Sequence, residues 1–167
     1  KEMQSRIGQL VSHDDAKQLY MGTFHSVFSR ILRAEADKLG YERNFTIYDE
    51  SDSRSLINTI VKSLGIDDKK YKASSVHGLI SMAKNHLITA DAYSNDQAAK
   101  ERDRAAQMPA VSQIYTPYQA HCRQSNAMDF DDLLFYTFLL FRDHPDVLAR
   151  YQSQFRYILV DEYQDTN

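Results

Sequence analysis

The chain has 167 residues, of which 43% are hydrophobic and 26% charged, and its formal net charge is −3. That composition is globular, and it excludes a disordered chain and a protein that grips nucleic acid by charge over its whole surface. A lone cysteine, Cys122, excludes an internal disulfide framework and fits a reducing cytoplasm; no apolar run approaches the roughly 20 residues that span a bilayer, and no signal peptide opens the chain.

The charge is uneven. Residues 49–126 carry ten Lys/Arg against nine Asp/Glu, and the flanking segments ten against fourteen. Nucleic-acid contact is therefore expected to be local, and in the middle of the chain rather than at its ends.

In chain order, Met3, Ile7, Leu10 and Val11 recur at helical spacing and predict a helix over residues 1–11. Leu19, Tyr20 and Met21 predict a short strand. After Gly22, Thr23 is placed to cap a helix whose apolar positions are Phe24, Val27, Phe28, Ile31, Leu32 and Leu39, closed by Gly40. Taken locally, His25 reads as a histidine hydrogen-bonded in its own turn. Phe45 and Ile47 alternate with Thr46 and Tyr48, the period of a short strand over 44–49. Ser51 is expected to cap the next helix, which carries Leu56, Ile57, Ile60, Val61 and Leu64 and ends at Gly65.

Residues 67–72 form a mixed-charge loop. It reads either as a solvated connector or as a phosphate-contacting patch of Lys69, Lys70 and Lys72, with Lys84 as a neighbour. A helix over 74–87 turns Val76, Leu79, Ile80, Ala83 and Leu87 to one face. Residues 96–107 suit an exposed helix, interrupted by Pro109. The helix expected over 111–123 buries Ile114, Tyr115, Tyr118 and His121. Asp129 is placed to cap another helix, and Asp131 and Asp132 suit the positive end of its dipole better than they suit a metal cluster. The run FYTFLLF over 135–141 predicts a helix buried nearly all round, beneath a sheet. Pro145 opens a last helix.

The final stretch, RYILVDEYQDTN, organises the reading. Tyr157, Ile158, Leu159 and Val160 make an unbroken apolar run, which predicts a strand covered on both faces. It stops at Asp161 and Glu162. Carboxylates are costly to bury, so both are expected where the strand leaves its sheet, the end at which open α/β sheets bind ligands. An acid there can hold Mg2+ against nucleotide oxygens while its neighbour orients or deprotonates a water. Two acids can equally just end a strand and begin a polar turn.

The longer string is more specific. DEYQDTN after an apolar strand resembles the Walker B segment of the superfamily 1 DNA helicases of the UvrD/PcrA/Rep type. GTFHS over 22–26, with the helix after it, resembles their single-strand-contacting motif Ib. KEMQSRI at the start resembles the helix after motif Ia, and MDFDDLL over 128–134 resembles motif Id. These matches follow the family's order.

The resemblance implies a mainly α fold: a helical insertion subdomain, 1B-like, attached to an incomplete α/β P-loop NTPase (RecA-like) core with few short strands. Residues 1–48 and 127–167 would be two parts of motor subdomain 1A, and 49–126 the insertion 1B. Asp161 would bind the Mg2+ that accompanies ATP, and Glu162 would be the general base for the attacking water. Gln164 and Asp165 would couple the nucleotide site to DNA. Thr23, Phe24 and His25 would border single-stranded DNA, and the insertion, through Lys69, Lys70 and Lys72, would approach duplex or junction DNA. Such a protein would be a cytoplasmic 3′-to-5′ helicase of repair or replication.

The sequence departs from that pattern in two respects: the phosphate-binding loop is missing, and so is the second motor domain with its arginine finger. No Gly-x-x-x-x-Gly-Lys-Ser/Thr string occurs. The 167 residues therefore read as a piece of a larger protein. Alone, the piece is expected to neither bind ATP tightly, hydrolyse it nor unwind DNA, and to self-associate through an exposed sheet edge. Three other readings remain open: a metal-dependent nuclease using Asp129, Asp131, Asp132, Asp161, Glu162 and Asp165, a nuclease-helicase relative, and a non-enzymatic helical DNA- or protein-interaction module.

Overall fold

The computed structural model describes residues 2–9 and 19–165. Helix α1 spans Glu2–Gly8; the rest of the helix expected to residue 11 lies outside the described residues. Residues 19–21 are not a strand. Instead the Tyr20 ring stands edge-on to Phe155, 4.8 Å between centroids, beneath the Arg30 guanidinium. Helix α2 spans Phe24–Ala34, and its N-terminus is capped as expected: the Ser26 amide donates to Thr23 Oγ1. A 3-10 turn, Ala36–Leu39, carries the chain to Gly40, whose φ of 70° is the left-handed conformation that closes it.

Strand β1 (Thr46–Tyr48) pairs in parallel with β2 (Ala127–Asp129), in the register Thr46↔Ala127. Three residues, Ala-Met-Asp, are too few to show a strand period, so β2 was not expected. Each strand runs directly into a helix: α3 (Glu50–Ser63) follows β1, and α8 (Phe130–Asp143) follows β2. Both junctions use the same D-x-x-D device. Asp49 accepts from the Asp52 amide while Asp52 accepts from the Asp49 amide, and Asp129 and Asp132 repeat the exchange. Asp49 therefore takes the capping place expected for Ser51, which lies inside the first turn of α3.

Between the strands lie α3, α4 (Ala73–Asn85), α5 (Ala90–Asn95), α6 (Gln97–Ala105) and α7 (Val111–Gln124). One apolar core forms wholly within this stretch, around Ile57, Val61, Val76, Ile80, Ile114 and Tyr118. Helix α6 is mostly exposed, but Ala99 and Asp103 face inward, Asp103 accepting from the Tyr93 hydroxyl. On α7 His121 is exposed, contrary to expectation; Cys122, four residues past Tyr118, takes the buried place. Burial pushes the Cys122 thiol up to about 12, consistent with an inert packing residue.

The second core joins α2 and the loop after it to β2, α8 and α9 (Pro145–Gln154), through Ile31, Leu32, Phe45, Met128, Leu133 and Leu140. Helix α8 is not buried all round. Phe130, Leu134 and Phe138, at spacing i, i+4, i+8, form an exposed apolar stripe. Among the described residues no helix is long and apolar enough to cross a membrane.

Candidate functional site

The segment after α9 departs most from expectation. Residues 157–160 form no regular element and belong to no sheet; Tyr157 is 92% and Leu159 98% exposed. The only strands among the described residues, β1 and β2, pair with each other, and no strand lies alongside this run. A strand without a neighbour has no ladder to fix it, whatever its propensity.

Asp161 and Glu162 follow, both exposed. The Glu162 amide donates to Asp161 Oδ1 at 2.9 Å, and Glu162 itself has φ 50°, a left-handed conformation uncommon outside glycine, asparagine and aspartate. The chain thus turns sharply at the acid pair and enters a 3-10 turn, Tyr163–Asp165. Gln164 is exposed; the backbone of Asp165 completes the turn, and its side chain lies outside the described residues.

The GTFHS segment is built tightly. Gly22 has φ 152°, and a Cβ there would lie 2.2 Å from Ser26 Oγ, which is held by its bond to the Thr23 carbonyl. Phe24 is 47% exposed with its ring 6.0 Å from Phe28. His25 makes no side-chain hydrogen bond in its turn; its ring stands edge-on to Phe130, 5.8 Å away, at the first residue of α8. His25 and Phe130 therefore place two exposed rings in contact, with the exposed Phe24 next to His25 in the chain. Phe130 was missed because its string, MDFDDLL, drew attention to its acids.

Lys69, Lys70 and Lys72 are exposed in the loop before α4, where the Lys69 amide is tied to Asp67 Oδ1. No side-chain contact among the described residues joins these lysines, or Asp161, Glu162 and Gln164, to Thr23, Phe24 or His25.

Lys84 is the clearest correction. Rather than flanking a phosphate patch it is buried, with Nζ 2.6 Å from Asp129 Oδ2 and 2.8 Å from Asp132 Oδ1. Burial alone would lower its pKa, but the Asp132 and Asp129 charges outweigh burial and hold it well above its usual range. The same contacts treat the two acids differently. Burial pushes Asp132 up to about 6 against the pull of Lys84. At Asp129 burial is outweighed by Lys84 and by hydrogen bonds, including one from the Tyr118 hydroxyl, so its pKa is lowered. The sequence did carry a signal. Ala73, Val76, Ile80 and Lys84 share one helical stripe, and a lysine on an apolar stripe needs a buried partner.

With Asp129 and Asp132 committed to Lys84, the acids of a nuclease reading do not converge among the described residues. Among the described residues no group of three His, Cys, Asp or Glu side chains could hold a metal.

The model of the UvrD/REP helicase N-terminal domain matches residues 1–167, the whole chain. The chain belongs to the UvrD/REP helicase family. Within that family it is 44% identical to the ATP-dependent DNA helicase PcrA of Leuconostoc citreum, and 45% identical to that of Staphylococcus aureus, over its full 167 residues. It spans 22% of the length of each of these relatives. The UvrD/REP assignment thus rests on the whole chain, not on its acidic end alone.

Proposed function

We propose that the chain is part of an ATP-dependent DNA helicase that travels 3′ to 5′ along single-stranded DNA. The observation that carries this reading is the family match along all 167 residues, with relatives named as ATP-dependent DNA helicases. Residues 1–48 and 127–167 act as parts of the motor subdomain, and 49–126 as its helical insertion. The two separate apolar cores support that division, since the buried residues of one all fall within 57–122.

Asp161 is the Mg2+ ligand and Glu162 the base. The fit is chemical: the Asp161 carboxylate is exposed and uses one oxygen on the Glu162 amide, leaving Oδ2 without a hydrogen-bond partner among the described residues. Mg2+ at nucleotide sites is held by one or two carboxylates, with phosphate oxygens and water completing the shell, so no protein cage is needed. Bound Mg-ATP supplies the phosphoryl group and the charge neutralisation of its transfer. Glu162 orients and deprotonates the water, and Gln164 and Asp165 couple this end to DNA. Thr23, Phe24 and His25 border the single strand, with Phe130 beside them as a further ring on which a base can stack. Lys69, Lys70 and Lys72 approach duplex phosphates.

Two measurements test this. A full-length helicase carrying this segment should unwind a duplex with a 3′ single-stranded tail and leave a 5′-tailed one intact; the opposite preference would overturn the polarity. The 167-residue chain alone should show no DNA-stimulated ATP turnover, and should associate through residues 157–160, which light scattering reads directly.

A further inference from the structure

A polar seam separates the two apolar cores. Lys84 enters it from α4, Asp129 and Asp132 from the β2–α8 junction, and Tyr118 and Gln119 from α7. Gln119 Nε2 also donates to the Tyr136 hydroxyl at 3.0 Å, and Tyr136 meets Tyr41 of the second core. Lys84 and Asp132 are fully buried. Apolar contacts are non-directional and tolerate sliding, whereas a lysine held between two carboxylates has one register. That register is set at a particular place. Asp129 caps α8 and the next residue is Phe130, whose ring meets His25 on α2.

We propose that Lys84 is a positioning residue: its pairing with Asp129 and Asp132 fixes the first turn of α8 against α4, and so holds the Phe130 ring beside His25 in the geometry that receives single-stranded DNA. This rests on the DNA-bordering reading of His25 and Phe130 given above. Lys84 itself is buried and touches no ligand. It acts through Asp129, the only residue it contacts that adjoins an exposed ring in the chain.

The test separates charge from shape. Lys84→Met alone strands two carboxylates, so the informative variant is Lys84→Met/Asp129→Asn/Asp132→Asn. Both asparagines keep an oxygen for the capping exchange; Gln119 Nε2 faces position 132 in the parent, and turning the Gln119 amide over would offer its unpartnered Oε1 to the new NH2. In a full-length helicase carrying this segment the triple variant should fold, with a midpoint of thermal unfolding no lower than the parent's. ATP turnover without DNA should be unchanged. The single-stranded DNA concentration giving half-maximal stimulation should rise roughly tenfold, within the range of ordinary coupling between sites. Amide exchange over residues 130–134 should quicken while exchange in the interior of α3 does not change.

A triple variant with parental DNA dependence and parental exchange at 130–134 would overturn the proposal. So would faster exchange throughout, since that marks a merely structural role. If the parent itself shows no DNA stimulation, the helicase reading fails. The exchange measurement then still decides whether Lys84 sets the first turn of α8.

Discussion

Asp132→Asn removes one charge from the buried triad and keeps its shape. The Asp132 carboxyl is raised from 3.8 to about 6 by burial, opposed by Lys84; in the unfolded chain it titrates near its ordinary value. Between about pH 4 and 6 the native state therefore holds a proton that the unfolded state has released, and stability falls as pH rises through that window. At about 1.4 kcal/mol per pH unit the contribution lost is about 3 kcal/mol. Asparagine has no such titration, but it introduces a mismatch. Its single oxygen can face either the Asp129 amide or Lys84 Nζ, which the carboxylate meets with separate oxygens, and the NH2 then opposes the other donor. That costs about 1–3 kcal/mol.

Urea unfolding of parent and variant from pH 4.5 to 8 reads the difference. The variant should be less stable at pH 4.5 by about 1–3 kcal/mol and should match the parent within about 1 kcal/mol at pH 8, with most of the change falling below about pH 6. Carboxylates away from the triad titrate alike in both proteins and cancel, and Asp129, held below its usual range, stays ionised across this range. Lys84, held charged well above its usual value, adds no slope in this range. A difference that stays flat across the pH range would refute this reading of the triad.

Other substitutions follow from the same geometry. Asp49→Ala removes one half of the exposed capping exchange at α3 and should lower stability by about 1 kcal/mol in thermal unfolding, whereas Asp49→Asn should be close to neutral. Gly40→Ala should cost about 1–2 kcal/mol for its left-handed backbone, and more because its Cβ would stand 2.5 Å from Arg123 Nη2, which donates to the Leu39 carbonyl. Phe130→Ala, at a half-exposed ring, should leave the unfolding midpoint nearly unchanged; in the full-length helicase it should weaken single-stranded DNA binding by about 1–3 kcal/mol, read by fluorescence anisotropy.

Helix periodicity carried far in this chain because each long helix has one buried stripe. The boundaries of α3, α4 and α7 fall within a few residues of those read from the sequence, whereas the helix read from Phe24 to Leu39 ends at Ala34 and finishes as a 3-10 turn. What failed has physical causes. Ser51 and Asp49 both suit a cap, and the choice fell to Asp49 because Asp52 could return the bond. Strand β2 is too short for any period. Residues 157–160 have the composition of a covered strand, but pairing is a property of two segments, and none lies beside this one among the described residues. At the candidate site the strings around His25 and Asp161 were readable. The Phe130 ring and the burial of Lys84 depend on tertiary contacts between residues more than forty positions apart.

Under the proposed function Glu162, delivered beside Asp161 by a sharp turn, activates the water that attacks ATP. This role is tested most directly by single-turnover ATP hydrolysis in a full-length helicase carrying Glu162→Gln, with saturating single-stranded DNA. Nucleotide and DNA should still bind while hydrolysis falls by at least about a hundredfold, the lower end of what a general base contributes. Hydrolysis at the parental rate would contradict this role.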